Sequence, residues 1–533
     1  MKMKMSSPRI AANIFASFFL FFIFLFLSVS SADSSSSSSH QAFIQCLRRN
    51  SDPSSPISAV LYSSDNSSYS SVLQQYIRNL RFNETTTPKP RLIITATHVS
   101  HIQASIVCAK RHRFLMKIRS GGHDYEAVSY TSQNPNFFVL DMFNFRKVNV
   151  SLEDETAWVG AGATLGEVYY GIAQKSNVHG YPAGVCPTVG VGGHISGGGY
   201  GNMMRKYGLT VDNVVDAEIV DVRGRILDRK SMGEDLFWAI TGGGASSFGV
   251  ALSYKIKLVR VPSVVTVFRV PRNYNQNLTD LVHRYQQVAD KLPEDLFVRL
   301  TLSVVNGTNR GTFNSLFLGN SEQLLSIMNQ SFPELGITRS DCTEMSWIQS
   351  VLFWTNLGQT SELLTRVPPT VDYLKRKSDF LQKPMPKEGI EMILQTMVEL
   401  RTPQLTFNPM GGRMAEIPAS EKPYPHRAGN IAKLQYATNW NETGVAAANR
   451  YLNLTRRLYD SMTPYVSMSP RQAFLNYRDL DIGINSNGPN SYQEGRVYGV
   501  KYFEGNFDRL VRIKTRVDPD NFFRNEQSIP VLP

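Results

Sequence analysis

Residues 184–201 read GVCPTVGVGGHISGGGYG, and eight of these eighteen are glycine. Glycine loses more backbone freedom on ordering than any other residue, so this stretch is expected to form neither a stable helix nor a well-packed strand. It suits a loop whose amides face a ligand, because successive backbone N–H groups make anion-binding nests. IRSGGH (118–123) and TGGGASSFG (241–249) add two further clusters. Three glycine clusters in one region point to a diphosphate held by backbone. Two familiar alternatives fail: no Gly-Lys-Ser/Thr follows the glycines as a P-loop requires, and no strand–G-x-G-x-x-G–helix unit meets the Rossmann pattern.

Around the clusters the chain alternates short apolar runs with helical patterns. Strands are predicted at 91–95, 114–118, 137–141, 157–161, 217–221 and 250–259, and helices at 101–112, 164–176 and 233–241. Thr164, with Glu167 three residues on, forms a predicted capping box. Past Pro262, strands at 264–270, 296–305 and 311–319 mix with helices around 278–291, 321–330 and 443–461; a last helix is expected at 507–518. The class is α+β, with a second domain of antiparallel sheet backed by helices.

The ends and composition bound the setting. Lys2, Lys4 and Arg9 precede an apolar core from Ile14 to Phe26, and Ser30-Ser31-Ala32 offers a small-residue cleavage site. Residues 1–32 are read as a secretory signal, Ser34–Ser39 as a flexible leader, and no membrane span is expected after cleavage. Asn66, Asn83, Asn149, Asn277, Asn306, Asn329, Asn441 and Asn453 each head a glycosylation sequon, as expected of an exported glycoprotein. The net charge of +12 comes without a Lys/Arg arm, so nucleic acid is not an expected partner. In an extracellular setting that charge suits either adhesion to acidic polysaccharide such as a cell wall or simple solubility. Four cysteines do not make a disulfide scaffold. A Cys46–Cys108 bridge would pin the N-terminal segment, Cys342 reads as a buried thiol, and Cys186 lies inside the glycine-rich loop. His194 lacks clustered metal-ligating partners and reads as a hydrogen-bonding residue; no metal is expected.

RSGGHDYE around His123, GVCPTVGVGGHISGGGYG around Cys186, YGLTVDNVVDAEIVD (207–221), EDLFWAITGGGASSFG (234–249), NYRDLDIG (476–483) and DPDNFFRNEQSIP (518–530) together resemble the plant berberine bridge enzyme-like family, over nearly the whole mature chain. The resemblance implies a two-domain FAD-binding fold of the vanillyl-alcohol oxidase (PCMH) type. Residues 33–262 would bind FAD, 263–470 would bind substrate, and 471–533 would return to the FAD domain. It implies one FAD attached twice, through the His123 ring to the flavin 8α-methyl and through Cys186 sulfur to C6. Arg119, Ser120, Gly121, Gly122, Val189, Gly190, Gly192, Gly193, His194, Gly197, Gly198 and Asn476 would complete the cofactor site. Both nucleophiles sit beside glycine, where a flat ring can approach.

Oxidation at a flavin also needs a base for the substrate hydroxyl proton. The resemblance offers Glu416, in MGGRMAEI, and Tyr477, in NYRDLDIG, with Tyr125 and Tyr200 as further active-site tyrosines. A phenol, with an ordinary pKa of about 10, needs a nearby cation to ionise; Arg413 and Arg478 are candidates. Asp479 and Asp481 read as turn acids. Val189, three residues after Cys186, stands where valine-like residues in relatives admit O2, favouring an oxidase. The expected substrate is a mono- or oligosaccharide, its reducing end becoming a lactone as O2 becomes H2O2. Aromatic or allylic alcohols and alkaloids are the alternative, and a flavin-retaining secreted binding or defence protein is another. Asn408-Pro409-Met410, where some relatives have Tyr-Pro-Tyr, departs from their aromatic pocket. A monomer is expected.

Overall fold

The computed structural model describes residues 39–368 and 370–533. The expected signal segment and nearly all of the serine leader lie outside them; Ser39 is already helical, in a run that continues to Asn50. Cys46 in that run is disulfide-bonded to Cys108 in the helix Val99–His112, 62 residues on. Closing a loop of that length restricts the unfolded chain by roughly 4 kcal/mol in the chain-entropy model.

Two sheets build the glycine-rich region. Strands Leu115–Arg119, Phe137–Asp141 and Leu92–Thr95 run parallel, with Leu61–Ser63 antiparallel at the edge. A five-stranded antiparallel sheet follows, in the order Val148–Ser151, Thr156–Gly160, Val250–Lys257, Val214–Val220, Ile226–Leu227. Helix Leu165–Ala173 starts at Thr164, whose side chain accepts from Glu167 N while the Glu167 carboxylate accepts from Thr164 N, so the capping box is formed.

Residues 265–440 form a seven-stranded antiparallel sheet in the order Thr343–Met345, Val265–Asn273, Thr308–Phe317, Leu296–Val305, Gln404–Pro409, Ala432–Trp440, Tyr373–Leu381. One face is apolar. Leu300, Leu302, Phe407 and Leu434 bury against Leu281 and Tyr285 of helix Leu278–Val288, Ile393 and Met397 of Lys387–Leu400, and Leu458 of Val445–Ser461. Strand side chains alternate between faces, so Arg299, Lys433 and Gln435 leave from the opposite face. The sequence pattern missed strands 373–381, 404–409 and 432–440 and helices 387–400 and 491–503. Three consecutive basic residues, Lys375, Arg376 and Lys377, interrupt the first of these strands and hid its pattern.

The glycine-rich loop departs from expectation in one respect: Val191–Ser196 is a short helix. Burial of Val191, His194 and Ile195 offsets the entropy that Gly192 and Gly193 cost. All eight sequon asparagines are exposed. Among the described residues no helix is long and apolar enough to cross a membrane.

Candidate active site

The polar face of the large sheet and the glycine clusters enclose one cavity of about 390 Å³. His123, Cys186, Ser120, Gly121, Gly122, Val189, Gly190, Gly192, Gly193, His194, Gly197, Asn476, Tyr125, Tyr200 and Tyr477 all line it. Gly121 and Gly190 meet backbone to backbone, and a Cβ on either would collide with the other. A Cβ on Gly193 would meet nothing within 4 Å, so this wall is cut back to backbone on the ligand's side.

The two nucleophiles approach from different loops. The His123 Nε2 is 2.9 Å from the Thr188 hydroxyl. Burial, aided by the Arg78 guanidinium, lowers the His123 pKa to about 3, so its ring is neutral at physiological pH. The Cys186 thiol is unpaired and opens onto the cavity, while the walls around it push its pKa up. His194 is a hydrogen-bonding residue: its Nε2 accepts from Gly184 N at 3.2 Å and lies 3.0 Å from the Thr210 hydroxyl. Asn476 ties the glycine loop together, donating to Gly193 O and accepting from Gly199 N, both at 2.9 Å.

At the sheet side sits an aromatic cluster with two basic side chains, Lys433 and Arg299. The hydroxyls of Tyr200 and Tyr477 are hydrogen-bonded to each other. Tyr125 OH accepts from Gln435 Nε2 at 3.0 Å, and the Tyr125 and Tyr477 ring centroids are 5.7 Å apart. Lys433 Nζ lies 2.8 Å from the Tyr200 ring centroid, 4.0 Å from Phe474 and 4.7 Å from Tyr477. It is buried with no hydrogen-bond partner among the described residues. Burial drives its pKa well below the usual lysine value. Burial raises both tyrosines, while the Arg299 guanidinium opposes the rise in each. Arg299 is held by Asn408, which accepts from Nε at 2.8 Å, and stacks 5.0 Å from the Trp354 ring. Asn408, the departure from Tyr-Pro-Tyr, therefore orients a cation.

Three expected site residues do not line the cavity. Glu416 is 58% exposed in the short helix Arg413–Glu416, paired to Arg413 at 2.9 Å, and does not line the cavity. The turn at Gly411 and Gly412, both with positive φ, carries that segment away from the sheet's polar face. Arg119 is fully buried but spent: it binds Asp141 and the carbonyls of Leu73 and Val72. Gly198 packs toward Tyr424 and Phe474 and forms a turn of positive φ behind the wall. Of the cations considered for the tyrosines, Arg413 pairs with Glu416, and Arg478 lines the cavity and donates to Gln527 O, while Lys433 stands on the rings. Lys433, Arg299 and Gln435 carried no motif of their own and depend on strand register, which pairs Asn408 with Lys433 and Thr406 with Gln435.

The cavity suits a large planar, phosphate-bearing ligand, and comparison with known proteins names it. Residues 90–229 match an FAD-binding domain, and residues 473–530 match the "berberine and berberine like" domain. The chain is 61% identical over 504 residues to berberine bridge enzyme-like 8 of Arabidopsis thaliana, covering 92% of this chain and 95% of that protein. The structure of Arabidopsis BBE-like 28 superposes with a TM-score of 0.88 at 43% identity, covering 92% of this chain and all of that one. Phl p 4, a grass pollen allergen with glucose dehydrogenase activity, superposes at 0.87 and 43% identity, with 92% and 99% coverage. An isoleucine-to-valine variant of that allergen is described as a glucose oxidase. Given these matches, the α+β fold and the FAD-binding domain, this chain belongs to the berberine bridge enzyme-like family of FAD-linked oxidoreductases.

Proposed function

We propose that this chain is a secreted oxidase carrying FAD bonded to His123 and Cys186, and that it oxidises the reducing end of a mono- or oligosaccharide to a lactone while O2 becomes H2O2. The observation that carries the reading is the buried Lys433 Nζ set on the Tyr200 ring, with the Tyr200 and Tyr477 hydroxyls joined at the cavity. The bound flavin supplies the two-electron acceptor. The chain's own task is the proton: Tyr477 donates to Tyr200, whose oxygen takes the proton of the substrate hydroxyl. Lys433 lies nearer the Tyr200 ring than the Tyr477 ring, so negative charge is best borne on Tyr200. Gln435 orients Tyr125 opposite Tyr477.

A neutral His123 supports covalent capture, since the unprotonated imidazole is the nucleophile. Cys186→Ala is expected to leave a yellow protein with an altered visible spectrum and slower flavin reduction; a spectrum and rate matching the parent refute the Cys186 bond. Val189 lines the cavity, and the pollen allergen's valine variant supports a role for such a residue in oxygen access. Val189→Leu is expected to slow reoxidation by O2 with flavin reduction unchanged, read by stopped flow. Eight exposed sequons and the net charge support an extracellular, wall-facing protein.

Peroxide release from glucose, cello-oligosaccharides, galacturonides and coniferyl alcohol tests the substrate class. Turnover of a saccharide supports the reading. Turnover of coniferyl alcohol alone replaces it with aromatic alcohol oxidation, which the rings of Tyr125, Tyr200, Phe474 and Tyr477 along the cavity favour as the second reading.

A further inference from the structure

Behind the tyrosines lies a chain of buried ions that the proton chemistry does not use. Lys375 Nζ donates to Glu126 Oε1 at 2.5 Å and to Asp479 Oδ1 at 2.7 Å. Lys377 Nζ donates to Asp479 Oδ2 at 2.5 Å and to Asp481 Oδ2 at 3.2 Å. The side chains of Lys375, Lys377, Glu126 and Asp479 are each at most 3% exposed. Three distant pieces of chain meet here. Glu126 directly follows Tyr125; Asp479 lies two residues past Tyr477; both lysines sit on strand Tyr373–Leu381 of the large sheet.

Buried ion pairs are weak sources of stability, because desolvation of the charges offsets most of their attraction. What they impose is direction: each ammonium has few places where its donors are satisfied. A four-ion chain in a dry interior is therefore better read as fixing geometry than as adding cohesion. The geometry it fixes is that of two loops, each ending in a cavity tyrosine, whose rings stand 5.7 Å apart. Strand alternation adds a second hold: Arg376, between the lysines, points the other way and lies 5.7 Å from the Tyr125 ring. Ser378 Oγ accepts from Phe474 N at 2.9 Å, anchoring the start of the Tyr477 loop on the same strand.

We infer that Lys375 and Asp479 are positioning residues that clamp the Tyr125 and Tyr477 loops to the substrate sheet and so set the facing geometry of the two tyrosines over the cofactor. The inference rests on the reading of Tyr200 and Tyr477 as the proton-accepting pair. A displacement of about 1 Å at a reacting group can lower turnover about 100-fold.

The test uses the flavin-loaded protein as purified. Visible circular dichroism of the bound flavin reads the tyrosine environment without substrate, and cellobiose kinetics read the proton step. Lys375→Met is expected to alter the flavin dichroism and to lower kcat about 100-fold with KM changed by less than about 3-fold, because substrate binding is retained while transition-state geometry is lost. The charge-neutral double variant Lys375→Met/Asp479→Asn should stay defective, whereas Lys375→Arg, which keeps the ion pairs, should recover both signals. Recovery in the neutral double variant would show a field effect and overturn the clamp. So would parental dichroism and kcat accompanied only by a lower thermal midpoint. If Lys375→Met does not fold, Asp479→Asn, which keeps an acceptor oxygen, carries the same comparison. Failure of the base reading shows elsewhere: Tyr477→Phe would turn over fully while the clamp variants still changed the dichroism.

Discussion

Tyr200→Phe lowers kcat by about 1,000-fold while the protein stays yellow, the expected loss when a positioned proton acceptor is removed. The substitution keeps the ring under Lys433 and removes only the oxygen that meets Tyr477. Tyr477→Phe should cost a similar factor, and the double variant little more, because the two hydroxyls act as one unit. With this pair as the proposed base, the active form is the deprotonated one, so kcat is expected to rise with pH as the pair loses its proton and to level off above that point. Lys433→Met then moves the rising limb to higher pH, since the phenolate loses its cation. Burial depresses Lys433, so its ammonium persists best beside a phenolate, and the two titrate together. A pH profile of flavin reduction that is unchanged in Lys433→Met would refute this role.

The largest expected effect on stability lies at the far side of the cavity. Lys514 and Asp518 form a fully buried pair at 2.6 Å. The remaining donors of Lys514 go to Ser247 O and Phe523 O, both at 2.7 Å, while Asp518 accepts from the amides of Phe522 and Phe523. Lys514→Met leaves a buried carboxylate and two carbonyls without their donor, a loss of roughly 3–5 kcal/mol. Helix Phe507–Val517 should loosen from the glycine turn at 242–249, lowering the thermal midpoint and exposing the C-terminal segment to protease. Lys514→Met/Asp518→Asn should recover part of that loss; equal midpoints for the single variant and parent would sink the argument.

Much of the glycine-rich region was legible because local chemistry specifies it. Thr164 and Glu167 announce a cap by their spacing, Cys186 and His123 stand in quotable motifs, and strands such as Val250–Lys257 alternate visibly. Glu416 misled because a short acidic motif says nothing about which way the chain turns after Pro409. The Gly411-Gly412 turn sends that carboxylate outward, and the returning strand delivers Lys433 and Gln435 instead. A lysine in a run such as IAKLQYATNW reads as a solvated strand residue; only pairing with Gln404–Pro409, itself unseen in the sequence, turns it inward. Asp479 read as a turn acid for the same reason, since its lysine partners lie about a hundred residues earlier in the chain.

Asn476, Tyr477, Arg478, Arg524 and Asn525 line the same cavity as Ser120 to Tyr125. The pocket's first wall is thus made early in biosynthesis and its last wall near the end. A nascent chain halted before residue 476 would display both proposed attachment residues with one side of the cavity missing. Flavin capture should therefore be an event of the finished polypeptide, after release from the ribosome, and truncation of the last sixty residues should yield colourless protein however intact the histidine and cysteine are.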